Sequence, residues 1–183
     1  MKNILVKFMF TSLIALALLL GVDFKVAEAA TYPGTSITVK PGDVLYTSKK
    51  TTDYLTGHVA IVNDYNRVVH APGTANPGLE SISVNSFFSR FHTIDVWRAR
   101  SSSKGQNAAQ YSRTLFYRYG NSDYTVFTPL AGNFYDQYCT KLVWQSYYYG
   151  ASINLGDISL TKYTVPPTWV LDNDYLRKVA NNL

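Results

Sequence analysis

Cysteine is almost missing from this 183-residue chain: there is one, Cys139, and only three histidines and two methionines accompany it. A single thiol excludes an intramolecular disulfide framework. It leaves a passive small hydrophobe or a reagent. So few soft ligands also argue against a zinc centre, which needs three or four donors at ligand spacing. Acidic residues are scarce, 12 against 17 Lys and Arg, but the basic excess is dispersed along the chain, and a nucleic-acid footprint is therefore not supported. Low-complexity linkers and internal repeats are absent as well, which points to one ordinary domain.

One long apolar run is present, at the start. Lys2 and Lys7 precede an apolar stretch from Phe8 to Val22, and Ala27-Glu28-Ala29 gives the small-x-small pattern of signal-peptidase cleavage. The run is short for a membrane span of about 20 residues. The expectation is a signal peptide over 1–29, cleaved after Ala29 or Ala30, and a single domain over 30–183 that is secreted or held in the cell envelope. Removing the leader takes away three basic and two acidic residues and leaves 14 Lys and Arg against 10 Asp and Glu, a net charge of +4. That suits an anionic envelope polymer or membrane face. The fifteen tyrosines would serve a stacking surface, or a core, which is the commoner fate of aromatics at strand and helix spacing.

The stretch Tyr135-Asp136-Gln137-Tyr138-Cys139-Thr140-Lys141-Leu142-Val143-Trp144 organises the rest. Cys139, Leu142, Val143, Ser146 and Tyr147 recur at helical spacing, with Asp136 as the expected cap and Gly150 as the expected stop. Cys139 then falls in the first turn, where unpaired N–H groups and the helix dipole favour a thiolate. Upstream, Lys40-Pro41-Gly42-Asp43 is a turn that Asp43 ties down, followed by a strand through Val44 to Tyr46. Gly57 to Val62 and Arg67 to Ala71 read as strands joined by Asn63-Asp64-Tyr65-Asn66, a hairpin. Side chains alternate along a strand, so His58 and His70 share a face, opposite or diagonal to one another. Two histidines so placed are a metal pair, two unrelated surface residues, or the base and orienting group of a thiol nucleophile. His92 has no evident partner and reads as a surface or edge histidine. Ser81 to Val84 and Thr93 to Ala99 extend the sheet, Ala108 to Tyr119 is an amphipathic helix, and Trp169 to Val179 is a last helix with Leu171, Tyr175 and Leu176 inward.

Pro41-Gly42-Asp43, Gly57-His58-Val59-Ala60-Ile61-Val62 and Val69-His70-Ala71 resemble the strand half of the NlpC-type papain-like cysteine peptidases, the bacterial cell-wall endopeptidases. The cysteine helix follows these strands instead of preceding them, so the chain is similar to the circularly permuted, YiiX-like branch. The resemblance implies an α+β, papain-like fold in which an antiparallel sheet or half-barrel packs against helices that include the cysteine helix. It implies Cys139 as nucleophile, His58 as general base and His70 as the residue orienting His58, where many permuted members carry a carboxylate and the ordinary cell-wall peptidases often a histidine. Tyr135 is the candidate oxyanion donor beside the backbone N–H of Cys139, or else a tyrosine that packs the helix start. No cofactor and no metal are called for.

The substrate implied is a peptidoglycan stem peptide or another amide. The alternatives are a lipid-directed acyl hydrolase or acyltransferase on the same fold, and a non-catalytic wall-binding module. Specificity is expected from the loops Lys49 to Thr56 and Ala71 to Leu79.

Overall fold

The computed structural model describes residues 30–48, 57–73 and 78–183; the leader, the Lys49 to Thr56 loop and part of the loop after Ala71 lie outside the described residues. Its centre is a six-stranded antiparallel sheet. The strands are β1 (Val44–Thr47), β2 (His58–Val62), β3 (Arg67–His70), β4 (Glu80–Ser83), β5 (Ile94–Ala99) and β8 (Leu176–Ala180). They lie in the order β4-β3-β2-β1-β5-β8. Consecutive apolar residues run through β1 (Val44, Leu45), β2 (Val59 to Val62) and β3 (Val68, Val69), so each of these strands buries residues on both faces. One face carries Val44, Val59, Ile61 and Val69 and is covered by α2 (Ser102–Tyr119) and α3 (Cys139–Ala151). The other carries Leu45, Ala60, Val62, Val68 and Val96 and packs on Tyr32, Phe87 and Phe91.

The turn before β1 is built as the sequence requires. The N–H of Asp43 donates to the carbonyl of Lys40 at 3.1 Å, and Gly42 takes φ +83°. A Cβ there would lie 2.3 Å from the carbonyl oxygen of Gly105, so glycine is needed for conformation and for close approach to α2. Asp43 is fully buried and receives the N–H of Lys40 and the hydroxyl of Tyr32 at 3.0 and 2.7 Å. Arg98 grips its two oxygens at 2.8 and 2.7 Å.

Four expectations are corrected by the structure. Val84 does not extend β4: Ser83 caps a short helix, α1 (Val84–Arg90), by accepting the N–H of Ser86 at 3.0 Å. Asp136 does not cap the cysteine helix; it lies in β7 (Asp136–Gln137), which pairs in parallel with β6 (Asp123–Tyr124), and the cap position belongs to Tyr138. Gly150 is not a stop. The helix continues to Ala151 and ends at Ser152 in the left-handed region, while Gly150 lets α2 approach: a Cβ there would lie 2.6 Å from the Tyr111 side chain.

The C-terminus, last, is no long helix. A short α4 (Pro167–Leu171) is followed by β8, because Asn173 Oδ1 accepts the N–H groups of Tyr175 and Leu176 at 2.8 and 3.0 Å and turns the chain back along β5. Leu171 and Leu176 are buried as expected, but Tyr175 is exposed.

Candidate active site

Strand register brings the two histidines together. Ile61 pairs with Val69 and Val62 with Val68, so His70 falls opposite Ala60 and diagonal to His58 on the same face. His58 Nε2 and His70 Nδ1 are 3.1 Å apart, and the rings meet edge to face with centroids 5.2 Å apart. Both are fully buried. Phe91 stacks on His58 at 4.7 Å, and Phe87 meets His70 at 5.5 Å. His92, by contrast, is exposed and uses only its carbonyl, which accepts the Thr47 hydroxyl at 2.9 Å.

Cys139 is the first residue of α3 and is buried. Its sulfur accepts the backbone N–H of Val59, the chain neighbour of His58. The direction of that bond follows from the ladder. Val62 donates its N–H to Asp43, toward β1, so by alternation Val59 and Ile61 direct theirs toward β3. Paired residues of β2 and β3 stop at Ile61 and Val69, and the thiol occupies the opening beyond. The sulfur therefore approaches the β2 backbone next to His58, although the helix and the imidazoles belong to opposite faces.

Burial sets the resting charges. It pushes the Cys139 thiol up, against the pull of the N–H groups of Val59, Thr140 and Cys139 itself. It holds His58 well below an ordinary histidine, helped by His70 and Arg90, and His70 at about 4, with Glu80 pulling the other way. The site rests as a neutral thiol and neutral imidazoles. The first-turn thiolate expected from helix position alone is outweighed by desolvation.

A ring whose pKa is depressed on folding contributes stability that is complete above the unfolded pKa, about 6.5, and drains away as pH falls below it, until the folded pKa is reached. For His70 that window runs from about 6.5 down to about 4. The expected result is a fall in unfolding free energy of about 1 kcal/mol per histidine for each pH unit below 6.5. Urea titrations at pH 7.5 and 5.5 measure it, and His70→Gln should flatten the slope; an equal slope in the variant contradicts the assignment.

Behind the histidines stands a carboxylate. Glu80 faces His70 directly across the β3–β4 ladder, with Oε2 3.3 Å from His70 Nε2, and Arg90 of α1 holds the same oxygen at 2.6 Å. Neither Glu80 nor α1 figures among the residues that sequence alone singles out. The available signal was the i, i+3, i+4, i+7 spacing of Val84, Phe87, Phe88 and Phe91 after Ser83, a capped amphipathic turn.

Tyr135 is exposed, its ring edge-on to Tyr119 at 5.2 Å, and it lines a cavity of about 470 Å³ with Leu79, Phe116 and Tyr119. Lys141, in the first turn of α3, is buried and donates to Thr128 Oγ1 and the carbonyl of Asn133, each at 2.9 Å. It ties the connection before the cysteine helix down onto that helix.

The chain is similar to several known proteins. A search of solved structures matches the crystal structure of the metalloprotein YiiX from Escherichia coli O157:H7 with a TM-score of 0.56 and 15% identity, over 78% of this chain and 97% of that one. This shows a shared papain-like fold. The word metalloprotein describes the Escherichia coli protein; among the described residues here, no three of His, Cys, Asp and Glu converge as a metal site would require. An uncharacterized 30.3 kDa protein of Bacillus thuringiensis is 30% identical over 125 residues, 62% of this chain and 46% of the relative, so the match spans less than half of that protein's length. The model of a family described as lipoprotein N-acylation protein, LnsA-like, matches residues 2–177. The kinship is thus with acylation proteins on a YiiX-like fold, and the narrower NlpC assignment is not upheld. The chain belongs to the LnsA-like lipoprotein N-acylation family.

Proposed function

We propose that this protein is a cysteine acyltransferase that takes an acyl chain from a lipid ester onto Cys139 and passes it to an amine, such as the N-terminus of a lipoprotein. The observation that carries the reading is the placement of the Cys139 sulfur on the Val59 N–H, in the strand opening flanked by the linked His58 and His70. The Cys139 proton passes to His58 as the sulfur attacks the ester carbonyl. The C–O bond then breaks, and His58 returns the proton to the leaving alkoxide, which leaves a thioester. The acceptor amine attacks that thioester, gives its proton to His58, and expels the sulfur, which is reprotonated. The N–H groups of Cys139 and Thr140, which already act on the sulfur at the start of α3, are the donors for the developing oxyanion.

The surface beside the nucleophile supports a lipid donor. Exposed Phe127, Leu160 and Tyr163 lie on two segments stitched together by Thr164 N–H to Val126, Leu130 N–H to Lys162 and Ala131 N–H to Leu160, at 3.0, 3.1 and 3.0 Å, and exposed Trp169 follows on α4. Lys162 lies 5.4 Å from the Trp169 ring. The N–H of Val165 donates to the hydroxyl of Tyr138, the residue before the nucleophile, at 3.2 Å. Tyr, Trp and Lys at a rim are the side chains that settle at a membrane–water boundary. Among the described residues no helix is long and apolar enough to cross a membrane.

The peptidoglycan-amide reading uses the same nucleophile and base, so it is decided by substrate. Residues 30–183 incubated with phospholipid vesicles should gain the mass of one acyl chain, removable by neutral hydroxylamine, and transfer it to an N-terminal diacylglyceryl-cysteine peptide. Cys139→Ala should do neither. Cys139-dependent release of muropeptides from purified wall, with no acyl adduct, would replace this reading with the peptidase.

A further inference from the structure

We infer that Glu80 is a positioning residue of this site: acting through His70, it fixes which ring nitrogen of His58 carries a proton and leaves Nδ1 as the base for Cys139. The inference rests on the reading of Cys139 as nucleophile and His58 as base.

The chain of contacts runs one way. Glu80 and His70 are cross-strand partners, and Oε2 sits 3.3 Å from His70 Nε2. A carboxylate at that distance favours the tautomer with the proton on Nε2. His70 Nδ1 then carries a lone pair, and the 3.1 Å contact with His58 Nε2 requires that nitrogen to be the donor. His58 Nδ1 is left with its lone pair, the form a general base needs. When the thiol proton arrives there, His58 becomes an imidazolium whose charge is felt through His70 by Glu80; no further proton moves. A neutral histidine alone stabilises an imidazolium poorly, and the carboxylate one strand farther out supplies the charge.

Helix α1 explains how the carboxylate is held. Its Phe87 pins His70, and Phe91, just past its end, covers His58, while Arg90 of its last turn grips Glu80. Among the described residues, the charged groups that act on the histidine pair are Glu80 from β4 and Arg90 from α1. Arg90 opposes an imidazolium where Glu80 favours it, but their mutual contact at 2.6 Å turns the arginine's charge onto the carboxylate. Glu80 is half-buried at the sheet edge, so its ionised form retains part of its hydration.

The test is the pH profile of Cys139 alkylation by iodoacetamide, together with ring nitrogen NMR of histidine-labelled protein, in the wild type, Glu80→Gln, Glu80→Asp and His58→Asn. Glu80→Gln should lower the alkylation rate at pH 7 about tenfold, which corresponds to one unit on the thiol ionisation scale. Rates should converge at high pH, where the thiol ionises unaided. Glu80→Asp should recover part of the loss, and the Nε2–H tautomer signals of both rings should become mixed in Glu80→Gln. A Glu80→Gln profile like that of the wild type, with His58→Asn still slow, overturns the inference and leaves the site reading intact. A rate lowered equally at every pH, with a reduced melting temperature, makes Glu80 merely structural and also overturns it. If His58→Asn alkylates like the wild type, the underlying base assignment fails instead.

Discussion

His58→Asn is expected to lower kcat/KM for acyl transfer by roughly 10³-fold, the scale of a lost general base, with the fold intact. Asparagine is close to imidazole in size, and its side-chain N–H₂ can still donate to His70 Nδ1, so the link now 3.1 Å long has a replacement. What it lacks is a nitrogen that can take the thiol proton. Because burial holds the thiol above its ordinary pKa, the sulfur cannot ionise at neutral pH without a nearby acceptor, and the loss should fall on kcat with KM little changed. His58→Ala is a poorer experiment: it removes a ring stacked 4.7 Å from Phe91 and leaves a void between β2 and α1. Single-turnover formation of the acyl adduct, followed by intact mass in both variants, separates chemistry from binding. An asparagine variant within tenfold of the wild type would move the base elsewhere.

The sequence made the sheet legible because its code is local. Alternation along Val59-Ala60-Ile61 and Val68-Val69-His70 needs no knowledge of partners, and Asn63 to Asn66 closes the hairpin, so the shared face of the two histidines follows from parity alone. The third member of their line was illegible for the same reason. Glu80 lies ten residues beyond His70 in sequence, across a loop whose course no pattern fixes, and only the register of β3 with β4 sets them side by side. The start of helix α1 is hidden in the sequence because Ser81-Ile82-Ser83-Val84 alternates like a strand, and the switch of period from 2 to 3.6 falls at Ser83 itself. At the C-terminus, Leu171, Tyr175 and Leu176 fit a helix by spacing, yet Asn173 is better satisfied by closing a turn on Tyr175 and Leu176. Gly150 shows the converse limit: a glycine near the end of a periodic run looks like a stop until a second helix is known to press on it. The histidine contact, the thiol's place in the strand opening and the carboxylate behind them depend on which faces meet, and faces meet only in three dimensions.

Asp43→Ala should cost about 3–5 kcal/mol of stability, the range for breaking a buried charge pair by removing one partner. In a domain of this size that corresponds to a melting temperature lower by roughly 10 °C. The carboxylate is wholly buried and joins four parts of the molecule: Tyr32 before the first strand, the Lys40 turn, β1 itself, and Arg98 of β5. Its loss takes the carboxylate acceptor from both the Tyr32 hydroxyl and Arg98, and leaves the guanidinium to the Tyr32 hydroxyl and to the carbonyl of Thr38, at 2.7 Å.

The effect should reach the active site through the adjacent residue, because the Gly42 carbonyl accepts the buried Tyr147 hydroxyl of the cysteine helix at 2.6 Å. Tyr147 is two turns along α3 from Cys139, so the turn that Asp43 closes also sets where that helix lies against β2. Tyr147→Phe removes only this second link and should cost about 1–3 kcal/mol, the penalty of an unsatisfied buried carbonyl, while the Asp43–Arg98 pair stays whole. Comparing the two variants at a temperature where both are folded separates stability from placement. If α3 is positioned by the Gly42–Tyr147 bond, Tyr147→Phe slows Cys139 alkylation despite its smaller stability loss; if alkylation instead follows melting temperature across both variants, the turn supports the fold and contributes nothing specific to the nucleophile.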